Sequence, residues 1–122
     1  MDESPIAMLT NAILLSALKK RASEIWIHRV AERSIVEFRI DGVAQPEMQP
    51  PVAIHDFIIR RLAIMASLPV YAKGEVASGT IHLMIGETRE AWFDLHVRGH
   101  GTELEARLAL LTAEQAAERN QV

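Results

Sequence analysis

The side chains in this sequence best suited to chemistry are its five histidines, which no cysteine accompanies. His96 and His100 have a spacing that metal ligands often use. That spacing crosses the glycine-rich segment Gly99-His100-Gly101, where a turn is expected, and a pair of histidines is a weak signal on its own. The sequence therefore predicts no metal site. The five residues are His28, His55, His82, His96 and His100.

Nucleotide hydrolysis requires a phosphate-binding loop of the type G-x-x-x-x-G-K-[S/T], and the sequence contains none. Gly74 and Gly79 have the right separation, but Thr80 and Ile81 follow them. The G-x-S-x-G motif that would indicate a serine hydrolase is also missing from the sequence. We therefore predict a protein that is not an enzyme, with no catalytic residue and no cofactor.

Asp94 and His96 alternate along one predicted strand and therefore point to the same face of a sheet. A solvated strand face accounts for both side chains without catalysis. Trp26 and Trp92 also lie in predicted strands. Tryptophan is enriched at protein interfaces, but the neighbouring Ile25, Ile27 and Phe93 favour packing of both indoles in the core.

Arg39, Arg60 and Arg61 are the candidate protein-interaction residues. A guanidinium group offers a fork of donors that matches a carboxylate or a phosphate. Arg60 and Arg61 lie late in a predicted helix, where a solvated helix face is the competing interpretation.

The composition limits the function classes. The 122 residues suffice for one hydrophobic core, and the net charge of −3 gives no broad attraction to nucleic acid or to an anionic membrane. The early apolar stretch Ile13–Leu18 is too short to cross a membrane, and the opening Asp2-Glu3 is not the basic start of a secretory signal. Together with the absence of cysteine, these features predict a cytoplasmic protein without membrane insertion.

The first half of the sequence predicts a helix and three strands. Ser4 and Pro5 are typical of a helix start, and the apolar spacing continues to about Ala22. Two β-rich runs, 24–30 and 34–40, predict a hairpin. Asp41-Gly42 is a strong type I′ turn signal, so a third strand over 43–48 should fold back antiparallel.

The second half begins with a helix from about Ile54 to Leu68, before Pro69. A loop over 71–78 and strands over 79–85 and 89–97 should follow. Residues 102–111 fit either a strand, by alternation, or a helix, by propensity, and we favour the strand. Thr112 and Gln115 fit a capping box for a short helix.

These elements predict an α+β fold in the order α-β-β-β-α-β-β-β. An antiparallel sheet of five or six strands should carry two main helices on one face. Residues 1–111 should form one domain, and residues 112–122 a polar tail or a short helix.

Several stretches resemble a known module. Residues 22–28 read A-S-E-I-W-I-H and residues 36–43 read V-E-F-R-I-D-G-V. The likeness extends through Pro50-Pro51, Ile59–Leu68 and Gly79–Gly86. It is a resemblance to the PAS-like domain that precedes the motor domain in type II secretion and type IV pilus assembly ATPases. It implies a bacterial cytoplasmic protein with protein partners.

The departures from that family pattern fall on residues that reach toward nucleotide phosphate in the family. Glu37, Val52 and His96 stand where the pattern has basic residues, and in 72–80 only Lys73 and Gly79 match it. The resemblance therefore implies a scaffold reused for binding.

The resulting hypothesis is a non-enzymatic adaptor or regulator that binds another protein, with a secretion or pilus motor ATPase as the candidate partner. Self-association through strand edges is a further expectation. Two alternatives stay open: a PAS-like domain that senses a nucleotide or another small ligand, and an N-terminal piece of a longer secretion ATPase.

Overall fold

The computed structural model describes residues 4–68, 76–100 and 103–119; for His100 and Glu103 it describes only the backbone. Its elements alternate between helices and two groups of three strands. They are α1 (Pro5–Lys19), β1 (Glu24–Val30), β2 (Arg33–Ile40), β3 (Val43–Met48), a 3-10 turn (Val52–Ile54), α2 (His55–Met65), β4 (Val76–Ile85), β5 (Arg89–His100), β6 (Glu103–Leu110) and α3 (Ala113–Arg119).

The six strands form one antiparallel sheet in the order β3-β2-β1-β6-β5-β4. Each half of the chain contributes a three-stranded meander, and β1 and β6 join the two halves at the centre. The predicted α+β fold class is confirmed, including the sixth strand.

Strand alternation gives the sheet two different faces. Ile25 and Ile27 of β1, Phe38 of β2 and Leu95 of β5 are buried with residues of α1 and α2 in one core cluster. The residues between them face the other way, because successive side chains of a strand point to opposite faces. Both main helices thus cover one face, and we call the opposite one the open face.

The predicted turns in the first half have the expected backbone. Asp41 and Gly42 have φ angles of 53° and 79°, as a type I′ turn requires. Ser4 caps α1, since its hydroxyl accepts from the Ala7 amide at 3.1 Å. The predicted end of α1 near Ala22 is wrong: Arg21 takes a φ of 57°, which ends the helix and lets Ala22 enter the core.

The second helix is shorter than predicted. It ends at Met65 because Ser67 has a φ of 58°, and a 3-10 turn precedes it. The predicted loop through Ser78 is wrong for its last residues, since β5 gives Val76, Ala77 and Ser78 partners in a regular ladder. The remaining residues of that loop, 71–75, lie outside the described residues.

The ambiguous segment after β5 is a strand, as favoured above, because it pairs with both β1 and β5. Gly99 and His100 belong to β5 rather than to a turn, paired with Leu104 and Glu103, and Gly101 lies outside the described residues. The capping box of α3 is present: the Gln115 side chain accepts from the backbone N–H of Thr112 at 2.9 Å, and the Thr112 hydroxyl accepts from the backbone N–H of Gln115 at 3.1 Å.

Within the described ranges, no helix has the length and apolar character needed to cross a membrane.

Candidate protein-interaction site

Helix α2 has apolar residues on two faces, one packed in the core and one exposed to solvent. Ile58, Ile59 and Leu62 are buried in the core cluster. Phe57 and Ile64 lie on the far side of the helix and remain exposed by 55% and 57%.

Phe57, Arg60, Arg61 and Ile64 follow the spacing i, i+3, i+4, i+7, which places them along one side of a helix. Together with Ser4 and Ile6 from the start of α1, they line a surface hollow of about 430 Å³. We call this the outer hollow. Its floor and walls are mainly apolar, while both of its charged groups are guanidinium groups.

The electrostatics of the outer hollow favour a negatively charged group. Arg60 is exposed and Arg61 is half-buried. The Nε of Arg61 is buried and has no hydrogen-bond partner in the structure. A carboxylate on a partner would suit the guanidinium groups of these two residues best.

The position of α2 is fixed by its first residue. His55 is buried and forms hydrogen bonds with Ser34 of β2 and the backbone of Leu104 in β6. At the other end of the helix, a Cβ on Gly79 of β4 would lie within 3.1 Å of the Ala66 carbonyl oxygen. A side chain here would require the end of α2 to shift by a few tenths of an ångström, so α2 packs closely on β4 at this point.

The open face carries a separate group of interacting side chains, centred on Trp26. The guanidinium carbon of Arg39 lies 4.5 Å from the centre of the Trp26 ring, and that of Arg107 lies 4.1 Å from it. The indole Nε1 donates to Glu24 at 2.6 Å. These are cation–π contacts on a sheet surface.

The prediction that both tryptophans pack in the core is wrong. Ile25 and Ile27 occupy the core side of β1, so Trp26 between them must point to the open face. Trp92 does the same on β5 and stacks on His82, with ring centres 4.9 Å apart. Ile25 and Ile27, whose apolar character suggested that Trp26 is buried, take the core side of the strand themselves and so place Trp26 on the open face.

Helix α3 is tied to the sheet by Arg119, whose guanidinium donates to both carboxylate oxygens of Asp94, the shortest contact being 2.7 Å. The hydrogen bond with Asp94 and its negative charge raise the pKa of Arg119. Asp94 therefore has a structural partner on the open face.

His96 and Asp94 do share a face, as predicted, but they do not form a catalytic set. The Ser78 hydroxyl lies 2.8 Å from Nδ1 of His96 in an exposed pair. Among the described residues no hydrogen bond joins Asp94 to His96, because that carboxylate binds Arg119 and Thr80 instead. The Ser78 hydroxyl is exposed to water, and acyl transfer needs a nucleophile in a preorganised site from which water is excluded.

Over residues 4–68, 76–99 and 104–119, no three His, Asp or Glu side chains are grouped so that they could hold a metal ion. The side chain of His100 lies outside the described residues.

A shallow hollow of about 270 Å³ on the open face is lined by Arg98, Arg107, His96 and Glu105, among others, so its charge is mixed.

The structure separates the three arginines predicted to mediate interactions. Arg60 and Arg61 lie together at the outer hollow, whereas Arg39 stacks on Trp26 across the sheet. The apolar partners of the first pair, Ile6, Phe57 and Ile64, were missed. Their signal is the spacing of 57 and 64 around the two arginines, which is out of phase with the buried positions 58 and 62.

Comparison with known proteins shows where the sequence is shared. Residues 1–116 match the protein family described as Type II/IV secretion system protein. The type IV pilus assembly ATPase PilB of Myxococcus xanthus is 38% identical over 96 residues, which cover 79% of this chain and 17% of that protein.

Two proteins of Pseudomonas aeruginosa are also similar. Type II secretion system protein E is 34% identical over 85 residues, which are 70% of this chain and 17% of that protein. Type II secretion system protein HxcR is 31% identical over 108 residues, which are 88% of this chain and 23% of that protein. The chain thus spans less than a quarter of the length of these relatives.

Proposed function

Because this chain belongs to the Type II/IV secretion system protein family, we propose that it is a non-enzymatic adaptor or regulator that binds a secretion or pilus motor ATPase. In this proposal it corresponds to the module that precedes the motor domain in such ATPases, and it acts in the cytoplasm. If the chain is instead one part of a longer motor ATPase, the outer hollow would contact another part of that same protein.

The observation that carries the proposal is the outer hollow. Two large apolar side chains, Phe57 and Ile64, stand more than half exposed beside two arginines on a helix that is otherwise core-facing. Apolar side chains that lose their water on binding, next to arginine, are the composition of protein-interaction hot spots. The surface is therefore suited to a protein rather than to a small polar metabolite.

The chemistry of the hollow defines the partner segment. An apolar side chain would fill the space between Phe57, Ile64 and Ile6, and a carboxylate on the same segment would pair with the guanidinium groups of Arg60 and Arg61. We propose an acidic amphipathic segment on the surface of the motor protein as the occupant. Charge complementarity of this kind favours fast and specific association.

The open face supports a role without nucleotide chemistry. Glu37, which stands where the resembling family has an arginine, lies 2.7 Å from His28 in an ion pair when that histidine is protonated. The carboxylate sits on the same strand and face as Arg39. A negative charge at this place opposes the binding of phosphate.

Isothermal titration calorimetry with purified pilus and type II secretion motor ATPases tests the proposal. We expect saturable binding with a negative heat-capacity change, because apolar surface is buried. The affinity should fall as salt is raised, since two arginines contribute. Absence of heat with every motor at two temperatures, at concentrations up to about 100 μM, would rule out a motor as the partner.

A second candidate function, the sensing of an anionic small ligand, is favoured by Arg98 and Arg107 at the hollow on the open face. Thermal-shift measurements with nucleotides distinguish it, since a ligand at about 100 times its dissociation constant stabilises the folded state by about 2.7 kcal/mol. Unchanged melting temperatures across such a screen would exclude the nucleotide version.

A further inference from the structure

The two edges of the sheet differ in how they are protected against pairing with another strand. The edges are β3 and β4. In β3, Pro46 lacks an amide hydrogen, the register against β2 shifts next to it, and Lys20 forms an ion pair with Glu47. Proline, irregular register and charge are the features that keep an edge from pairing.

Strand β4 has none of these protections. It runs for ten residues, Val76–Ile85, and pairs with β5 without any shift of register. Its sequence, VASGTIHLMI, contains no proline, no lysine or arginine and no carboxylate. Within the part of the chain that the structure describes, β5 is the one strand bonded to β4, so the other row of amide and carbonyl groups is open to a further strand.

The side chains of β4 on the open face form a symmetrical series. Val76 and Met84, at the two ends, are exposed by 58% and 53%. Ser78 and His82 lie inside them, and Thr80 is at the centre. Read from either end, the series is apolar, polar, threonine, polar, apolar.

This symmetry selects the partner strand. When a strand pairs antiparallel with its own copy, residues that face each other must lie on the same side of the sheet. A register centred on Thr80 meets this condition, and it sets Val76 opposite Met84, Ser78 opposite His82 and Thr80 opposite itself. A register centred one residue later sets Met84 opposite Ser78, so each exposed apolar group would lose its apolar partner.

We propose that β4 pairs antiparallel with β4 of a second copy of this chain, centred on Thr80. The two six-stranded sheets then continue as one sheet around a two-fold axis perpendicular to it. No lysine, arginine or carboxylate enters the new ladder, and His82 lies opposite the neutral Ser78. The helices of both copies stay on the same side of the joined sheet.

Analytical ultracentrifugation of three proteins tests the pairing and its register. The wild-type chain should sediment as a dimer. The double substitution V76K/M84K sets lysine opposite lysine twice, and it should raise the dissociation constant about tenfold or more, because directly opposed like charges are destabilising. The double substitution V76K/M84E sets lysine opposite glutamate, and it should remain dimeric.

The matched control is Val43→Lys on β3, which adds a charge to the other edge at a similarly exposed residue and should leave the dimer unchanged. Circular dichroism checks that all variants keep the fold. A monomeric wild-type chain would overturn the proposal and leave this edge to a strand of a different protein. A dimer that survives V76K/M84K, or one lost equally in V76K/M84E, would also overturn it.

Discussion

The Ser34 hydroxyl forms a hydrogen bond with Nδ1 of His55 across 2.7 Å, inside the core. The direction follows from the other ring nitrogen. Nε2 lies 2.7 Å from the Leu104 carbonyl oxygen, which can only accept, so Nε2 carries a hydrogen, and in the neutral form of the ring Nδ1 accepts from Ser34. This pair holds the first residue of α2 against two strands and so positions the outer hollow.

Replacing Ser34 with alanine should lower the free energy of unfolding by about 1–3 kcal/mol, because it leaves a buried ring nitrogen without a partner. Urea denaturation at low micromolar concentration measures the change. Ser78→Ala is the matched control, since Ser78 makes a similar bond to Nδ1 of His96 at an exposed position. Equal losses in the two variants would contradict the role given to burial.

Replacing Trp26 with alanine should cost about 1–2 kcal/mol, since it removes two cation–π contacts on the open face at about 0.5–1 kcal/mol each. Phe38→Ala should cost about 3–5 kcal/mol, because it empties a core position. Guanidinium denaturation of both variants compares them. A tryptophan variant as unstable as the phenylalanine variant would mean that Trp26 is a core residue after all.

Replacing Arg119 with alanine should release α3 from the sheet, because it removes the paired hydrogen bonds to Asp94. Amide hydrogen exchange over residues 113–119 should accelerate about tenfold while exchange in β1 stays unchanged, as in local opening. Glu118→Ala, on the same helix, serves as the control and should leave exchange near the wild-type rate. No acceleration in Arg119→Ala would show that Ala116 alone anchors the helix.

The purified chain should not hydrolyse ATP, because its sequence has no phosphate-binding loop. Phosphate release in the presence of Mg²⁺ should equal that of the buffer. Turnover that co-purifies with the chain through a second chromatography step and is lost on its heat denaturation would refute the proposal that the chain is not an enzyme.

The fold could be predicted from local patterns because most of them agree with the final structure. The Asp41-Gly42 turn needs positive φ angles, and the alternation in 103–110 is resolved by pairing on both sides. The ends of α1 and α2 could not be predicted, since Arg21 and Ser67 adopt positive φ without being glycine. Tertiary packing, rather than residue preference, decides those turns.

The candidate interaction site was predicted less completely than the fold. The sequence marks Arg60 and Arg61 as candidates, and the structure places them together. It does not show that Phe57 is surplus to the core, because the number of apolar residues that a sheet can cover depends on how α1 and α2 share it. Trp26 illustrates the same limit, since its apolar neighbours take the inner positions first.

The most direct measurement of the central claim is calorimetric titration of a motor ATPase with the double variant F57S/I64S. The account predicts binding at least about tenfold weaker than that of the wild-type chain, the scale of a lost hot spot. Val43→Ser, which removes an equally exposed apolar group from the far edge, should bind like the wild type. Undiminished binding by F57S/I64S, with loss of binding in Arg107→Ala, would contradict the account and move the partner to the open face.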